Sequence, residues 1–214
     1  MKNLYYYSVH FLFRFVWKVI NKAEKEILLR RFRHVGKNPI FFPLTSSFAA
    51  ENISIGDDVF IGQHANFGGD VTIGNRVMFG PRVSILAANH QYALAGKSPR
   101  FIVPSSEKMN IAPVIIEDEV WCGANVTILG NVRVGIGAVI GAASVVVQDI
   151  CPFTVSVGSP CRPVRNIFDD EKLLYHLTSL SFSENSAVGI IDRRKAMLSG
   201  QELPVIDKTE QYLN

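Results

Sequence analysis

The stretch Ile53-Ser-Ile-Gly-Asp-Asp-Val-Phe-Ile-Gly-Gln-His-Ala-Asn-Phe-Gly-Gly-Asp-Val-Thr-Ile-Gly-Asn-Arg-Val-Met-Phe-Gly-Pro-Arg-Val-Ser-Ile85 decides the architecture. Its apolar residues fall in pairs split by one residue: Ile53/Ile55, Val59/Ile61, Ala65/Phe67, Val71/Ile73, Val77/Phe79 and Val83/Ile85. The pairs advance six residues at a time. The series resumes at Val114/Ile116 and continues through Val120/Cys122, Val126/Ile128, Val132/Val134, Ala138/Ile140 and Ser144/Val146. Each unit reads in, out, in, the two-residue alternation of a very short strand. A helix fails, because six residues at roughly 100° each rotate an apolar stripe through about 240° per step and no face persists.

A turn must follow each pair. Gly56, Gly62, Gly68, Gly74, Gly80, Gly123, Gly135 and Gly141 stand directly after a pair's second residue, often with a polar residue next, as a tight corner favours. The two-residue reversal signals of hairpins are missing. A fixed short period is instead the mark of a parallel solenoid, in which each repeat buries its pair against the same pair one turn away.

This pattern resembles the hexapeptide-repeat acyltransferases. The resemblance implies an all-β solenoid, a left-handed parallel β-helix of triangular section with three hexapeptides per coil, which breaks the usual right-handed crossover preference. The expected organisation is a basic aromatic helical segment over 1–38, the β-helix acyltransferase domain over 39–165 with a loop at 87–113, and a helical extension over 166–214. Within the extension, Asp169 to Leu180 and Ile190 to Leu198 read as two short amphipathic helices.

The 214 residues, 48% apolar and 19% charged, suit one core with appendages. Three cysteines without a C-x-x-C pair argue against a disulfide framework and for reduced thiols in the cytoplasm. The net charge of +3 is uneven. Residues 1–38 hold nine Lys/Arg against Glu24 and Glu26, a local +7 that leaves −4 for the rest.

The same end is aromatic, with Tyr5, Tyr6, Tyr7, Phe11, Phe13, Phe15 and Trp17 around Arg14 and Lys18. The run from Leu4 to Ile20 is too short and too charged to span a bilayer comfortably, and no signal-peptide cleavage site follows. Two readings stay open: a helix that caps the solenoid's end, or a monotopic helix in peripheral contact with the inner face of a membrane, which the basic Arg30, Arg31 and Arg33 favour. No nucleic-acid motif accompanies the basic residues, so a nucleic-acid partner is not expected.

The repeat breaks once, between Leu86 and Pro113, and an insertion of this length must leave the coil as a loop, a kind of segment that in compact domains is usually functional. It opens on Ala87, Ala88, Asn89 and His90. A histidine at the root of such a loop is suited to take a proton from an attacking hydroxyl or amine. The resemblance places the catalytic base there, on Ser84-Ile-Leu-Ala-Ala-Asn-His90, with Asn89 beside it as a substrate contact.

Downstream, Ile116-Glu-Asp-Glu-Val-Trp-Cys-Gly-Ala-Asn-Val-Thr-Ile-Leu129 is similar to the segment that re-enters the coil in galactoside, maltose and xenobiotic acetyltransferases and in polysaccharide O-acetyltransferases. Trp121 takes the outward position of its pair, where a large apolar ring needs a partner, and the resemblance assigns it to the acceptor and pantetheine groove. The resemblance also offers the Ala124 amide to the thioester oxygen and Ala142 to the pantetheine arm. It gives Arg162 and Arg165, in Gly158-Ser-Pro-Cys-Arg-Pro-Val-Arg165, to the phosphates of coenzyme A. Val147 and Gln148 depart from the usual Thr and Lys, which removes one cation near the nucleotide.

The resemblance thus implies an acetyl-CoA-dependent sugar O-acetyltransferase of bacterial capsule, O-antigen or exopolysaccharide biosynthesis, a homotrimer of C3 symmetry with a saccharide acceptor and no metal. Lys97, Arg100 and Lys108 stand in the loop as possible contacts for an anionic acceptor. An N-acetyltransferase of a nucleotide-linked amino sugar differs only in the acceptor. A γ-type carbonic anhydrase would need three histidines around zinc, and the repeats hold only His64 and His90. A non-catalytic scaffold is separated from all of these by replacing His90.

Overall fold

The computed structural model describes residues 2–89, 94–102 and 110–200, with side chains for 10–88, 94–102 and 112–200. The short strands lie parallel to the strands one coil away and build three faces. The first face stacks His34–Val35, Ile53–Ile55, Val71–Ile73, Val114–Ile116 and Val132–Val134. Phe60–Ile61, Met78–Phe79, Trp121–Cys122, Val139–Ile140 and Thr154–Val157 form the second, and Ser47–Phe48, Asn66–Gly69, Ser84–Asn89, Thr127–Leu129 and Val145–Val146 the third. Ile53 lies opposite Val71 and Val114 opposite Val132, so one turn takes 18 residues, three six-residue units. The architecture is a β-solenoid of about six turns with helices at both ends.

Both members of every repeat pair are buried, including the polar Ser144. Burying such pairs on all three faces fills the solenoid, and at roughly 1.5–3 kcal/mol per fully buried Val, Ile or Phe this stack is the main favourable contribution to folding. At the N-terminal end the filling is aromatic. Phe32, Phe41, Phe48, Phe67 and Phe79 meet edge to face at 5.1–5.8 Å between centroids, the arrangement aromatic quadrupoles favour.

The corner glycines are present for a different reason from the one their type first indicates. At most of these corners the left-handed residue is not the glycine but the one two places on, as at Asp58, His64, Arg76, Arg82, Asn125 and Ala143, with φ of 54–60°. The glycines themselves allow coils to touch. A Cβ on Gly56 would lie 2.6 Å from the Gly74 carbonyl oxygen, and one on Gly62 would lie 2.7 Å from the Gly80 carbonyl carbon.

Helix α1 spans Lys2–Arg31. Only its last turns close the solenoid: Leu28 and, just beyond, Phe32 join the core, and Lys25 Nζ donates to the Pro39 carbonyl at 2.7 Å. At the other end Arg162–Asn166 turns back antiparallel on Thr154–Val157, which stops parallel stacking.

Helices α2 (Asp170–Ser179) and α3 (Glu184–Leu198) follow and enclose a second core of Ile136, Phe153, Leu173, Leu177, Ala187 and Ile191. The Asp169 carboxylate accepts the Lys172 amide at 2.8 Å and caps α2. Helix α3 starts six residues before the expected Ile190, because Ser183 Oγ accepts the Ser186 amide at 3.2 Å and sets an N-cap there.

Candidate active site

The insertion is the first element of the site. Val71 pairs with Val114, 43 residues on, so 25 residues beyond the 18 of one turn leave the coil here. They leave on a stalk: Ser84–Asn89 runs past its corner, and Ala88 and Asn89 pair antiparallel with Ile111 and Asn110. Asn89 therefore sits on this stalk. His90 follows it directly and lies outside the described residues, as does Lys108. Lys97 and Arg100 are exposed in the described part of the loop.

The corners carry the second element. At the corner between the first and second faces, the residue after the glycine gives its amide to a side chain one coil on. The Lys37 amide donates to Asp57 Oδ1 at 2.7 Å, Asp57 to Asn75 Oδ1 at 2.8 Å, and Asn75 to Asp118 Oδ1 at 2.8 Å. This polar ladder explains why a polar residue follows those glycines.

The corner between the second and third faces is built from Gly62-Gln63, Gly80-Pro81, Gly123-Ala124 and Gly141-Ala142, and it has no such ladder. The Ala124 carbonyl accepts the Ala143 amide at 2.9 Å, but the Ala124 N–H has no acceptor among the described residues, and neither has that of Ala142. Below Ala124 stands Pro81, whose nitrogen carries no hydrogen. Gly80 matters here too: a Cβ on it would lie 2.7 Å from the Ala124 nitrogen. The repeat pattern marked Gly80 only as a turn residue, and its role in keeping that amide uncovered needs the neighbouring coil to be seen.

Ser144 ties the chain's return to the same corner. Its hydroxyl donates to the Gly141 carbonyl at 2.7 Å and accepts the Gly158 amide at 3.0 Å. Gly158 to Cys161 then follow Val145, whose amide donates to Gly158 and whose carbonyl accepts from Cys161. Arg162 and Arg165 come next on an exposed strand. Among the described residues their guanidinium groups hydrogen-bond to the carbonyls of Cys161 and Asn166, and no carboxylate pairs with either. Two unpaired guanidiniums at the end of a row of open amides can receive phosphate through forked hydrogen bonds.

Trp121 stands outward on the second face, half exposed, in register with Met78 and Val139. With Phe60 and Met78 it makes an exposed apolar strip one rung apart, a surface that favours an apolar ligand or a second subunit.

The structure thus brings Ala124, Ala142 and Arg162 along one corner, with Trp121 beside them. The stalk toward position 90 lies elsewhere. Leu129 is five residues past Ala124 and pairs with Leu86 at the far end of the third face, so at the extended rise of about 3.3 Å per residue the chain leaves for the loop at most about 16 Å along the face from the open amide.

Nothing about the thiols fits nucleophilic chemistry. Cys122, Cys151 and Cys161 are free and buried, and burial pushes each thiol above its ordinary range, with Cys161 adding to the effect on Cys122. No cluster of three or more His, Cys, Asp or Glu is placed to hold a metal among the described residues.

Residues 52–87 match the family model for bacterial transferase hexapeptide repeats. The galactoside O-acetyltransferase of Escherichia coli K12 is 32% identical over 168 residues, 72% of this chain and 73% of that protein. A Schizosaccharomyces pombe protein named for acetyltransferase activity is 51% identical over 55 residues, and that match spans only 27% of its length. Among solved structures, a hexapeptide-repeat acetyltransferase of Vibrio cholerae complexed with acetyl coenzyme A aligns with a TM-score of 0.60 and 30% identity, over 69% of this chain and 78% of that one. The chain belongs to the hexapeptide-repeat acetyltransferases.

Proposed function

We propose that this protein moves an acetyl group from acetyl-CoA to a sugar hydroxyl in the building of a bacterial surface polysaccharide. The observation that carries the reading is the Ala124 amide, left without an acceptor on the corner that continues through Ala142 to Arg162. The names of the relatives support it: one is a galactoside O-acetyltransferase and another is a structure with acetyl coenzyme A bound. Three buried, unlinked cysteines fit a reducing compartment, the cytoplasm.

In this reading Arg162 and Arg165 take the phosphates, Ala142 lies along the pantetheine arm, and Trp121 and Asn89 border the acceptor. His90 accepts the proton of the acceptor hydroxyl as its oxygen bonds to the thioester carbonyl carbon. The Ala124 N–H donates to the carbonyl oxygen as it gains charge. The carbon–sulfur bond then breaks, and His90 returns the proton to the departing sulfur, leaving acetylated sugar and free coenzyme A. Because the stalk and the open amide stand at opposite ends of the third face, the base of one copy works on the corner of the next in a homotrimer.

The test is thiol release from acetyl-CoA over a panel of soluble sugars, amino-sugar nucleotides and lipid-linked oligosaccharides. Replacing His90 with Ala is expected to slow release by about 10²–10⁴-fold on the best acceptor. Unchanged turnover would make position 90 a bystander, and release with amines alone would move the reading to N-acetylation.

A further inference from the structure

Helix α1 has more surface than the solenoid uses. From residue 10 to residue 20 every side chain is exposed, with Phe13 at 67%, Phe15 at 58%, Val19 at 53% and Trp17 at 43%. These residues are not randomly placed. Around the helix at roughly 100° per residue, Arg14, Lys18, Asn21, Lys22 and Lys25 fall in one stripe about 100° wide, which Phe11 shares, whereas Leu12, Phe13, Phe15, Val16, Val19, Ile20 and Ile27 occupy the opposite, broader side.

The orientation of that stripe is the informative fact. Arg14, Lys18, Lys22 and Lys25 line a groove of about 650 Å³ with Phe42 and Gln63 of the coil, and Phe13 and Trp17 border it. The cations therefore stand on the solenoid side of α1, and the apolar side faces away. Arg14, Lys18 and Lys22 have no ion-pair or hydrogen-bond partner among the described residues. The later arginines differ: Arg31 is paired with Glu51 and Arg33 with Asp70, so they fasten the helix end rather than offer charge to a surface.

A helix lying in a bilayer interface has this layout. Its apolar side sinks to the acyl boundary, its cations sit at the depth of the lipid phosphates, and whatever lies beyond the cations is in water. Here what lies beyond is the coil. We infer that α1 docks on an anionic phospholipid surface with Phe15, Val16, Val19 and Ile20 in the lipid and lipid phosphates in the Arg14–Lys18–Lys22–Lys25 groove, leaving the solenoid in the aqueous phase. No helix of the described residues is long and apolar enough to cross a membrane, so the contact is with one leaflet. The inference is independent of the transfer chemistry.

The full chain is tested by co-flotation with vesicles of phosphatidylcholine alone and with one third phosphatidylglycerol. At about tenfold or less per cation, three unpaired cations give roughly 100-fold stronger partition onto the anionic vesicles, weakened by salt. The Arg14→Gln/Lys18→Gln/Lys22→Gln variant is expected to lose that preference, and Phe15→Asp/Val19→Asp to lose binding altogether, with solenoid stability unchanged in both. Trp17 emission is expected to shift to the blue on anionic vesicles. Absence of flotation, equal binding to both vesicle types, or a drop in oligomer size of the Phe15→Asp/Val19→Asp variant without any vesicle binding of the parent would overturn the inference. The last outcome would give the face to a second copy. Thiol release with a soluble acceptor, measured on the same preparations, separates failure of docking from failure of the transferase reading.

Discussion

Glu117 and Arg193, 76 residues apart in sequence, join the coil to the last helix through a forked ion pair. Arg193 Nη1 donates to Oε1 at 2.8 Å and Nη2 to Oε2 at 2.5 Å, Arg133 Nη1 donates to Oε1 at 2.9 Å, and the Ile136 amide donates to Oε2 at 2.8 Å. Glu117 follows the pair Val114/Ile116 where other turns of the first face have a corner glycine, such as Gly74 or Gly135. The one turn that gives up the glycine uses the position to hold α3.

Removing one partner of a buried ion pair leaves the other uncompensated, at about 3–5 kcal/mol. Glu117→Gln is therefore expected to lower the unfolding free energy by about that amount, measured by denaturant titration. The pH dependence has a definite sign. Burial alone would push the Glu117 carboxyl up, but hydrogen bonds and charge from Arg193, with Arg133 and the Ile136 amide, hold it below the ordinary range. A depressed folded value adds stability above the unfolded carboxylate value near ~4.3, and that stability is lost as pH falls through the folded value. The acid limb of the stability profile is expected to be shallower in the Gln variant, and equal acid limbs would remove Glu117 from the account.

Ala124→Pro deletes one hydrogen from the open corner and little else. The coil below already holds Pro81 at the equivalent place, with Gly62 related to it as Gly80 is to Ala124: each glycine's Cβ position lies 2.7 Å from the nitrogen of the stacked residue. The ring is therefore expected to fit, with a melting temperature close to the parent's. Loss of one oxyanion donor costs about 10²–10³ in kcat. A variant with normal turnover would show that the Ala124 amide takes no part.

The repeat core was legible because its period is set by geometry that any sequence in this fold must obey: two inward residues and a corner, three times per turn. What the pattern could not show are the relations between coils. Gly56 and Gly80 were visible as corner glycines, but the reason for them is the carbonyl or amide of the next turn. Arg31 and Arg33 looked like free surface charge, and only folding brings them to Glu51 and Asp70. The early start of α3 was hidden by Gly189 and the polar residues around it, which break an apolar period that Ser183 overrides by capping. Only the family resemblance marks Ala124, because no chemistry of the alanine side chain points to it.

Cys122, Cys151 and Cys161 are expected to stay silent toward a water-soluble aromatic disulfide in the native protein and to react together in denaturant. Burial both blocks access and disfavours the thiolate. This keeps thiol-release assays free of background from the protein. Stoichiometric reaction of any one of them in the native state would show that local opening exposes it.

A site shared between copies makes a prediction that a site within one chain does not. The stalk to His90 and the Ala124 amide stand at opposite ends of the third face of a single solenoid. In the shared arrangement each active site takes its base from one copy and its open amide from the neighbour. His90→Ala spoils the first contribution and Ala124→Pro the second, so each variant alone is inactive at all its sites. If the two are unfolded, mixed in equal amounts and refolded, a site is intact when an Ala124→Pro copy supplies the histidine and a His90→Ala copy supplies the amide. Random assembly makes that combination at about one site in four, whatever the number of copies in the closed ring. Thiol release from the mixture is therefore expected at about a quarter of the parent rate, far above either variant alone. A mixture no more active than its components would put both groups in one chain and end the shared-site reading.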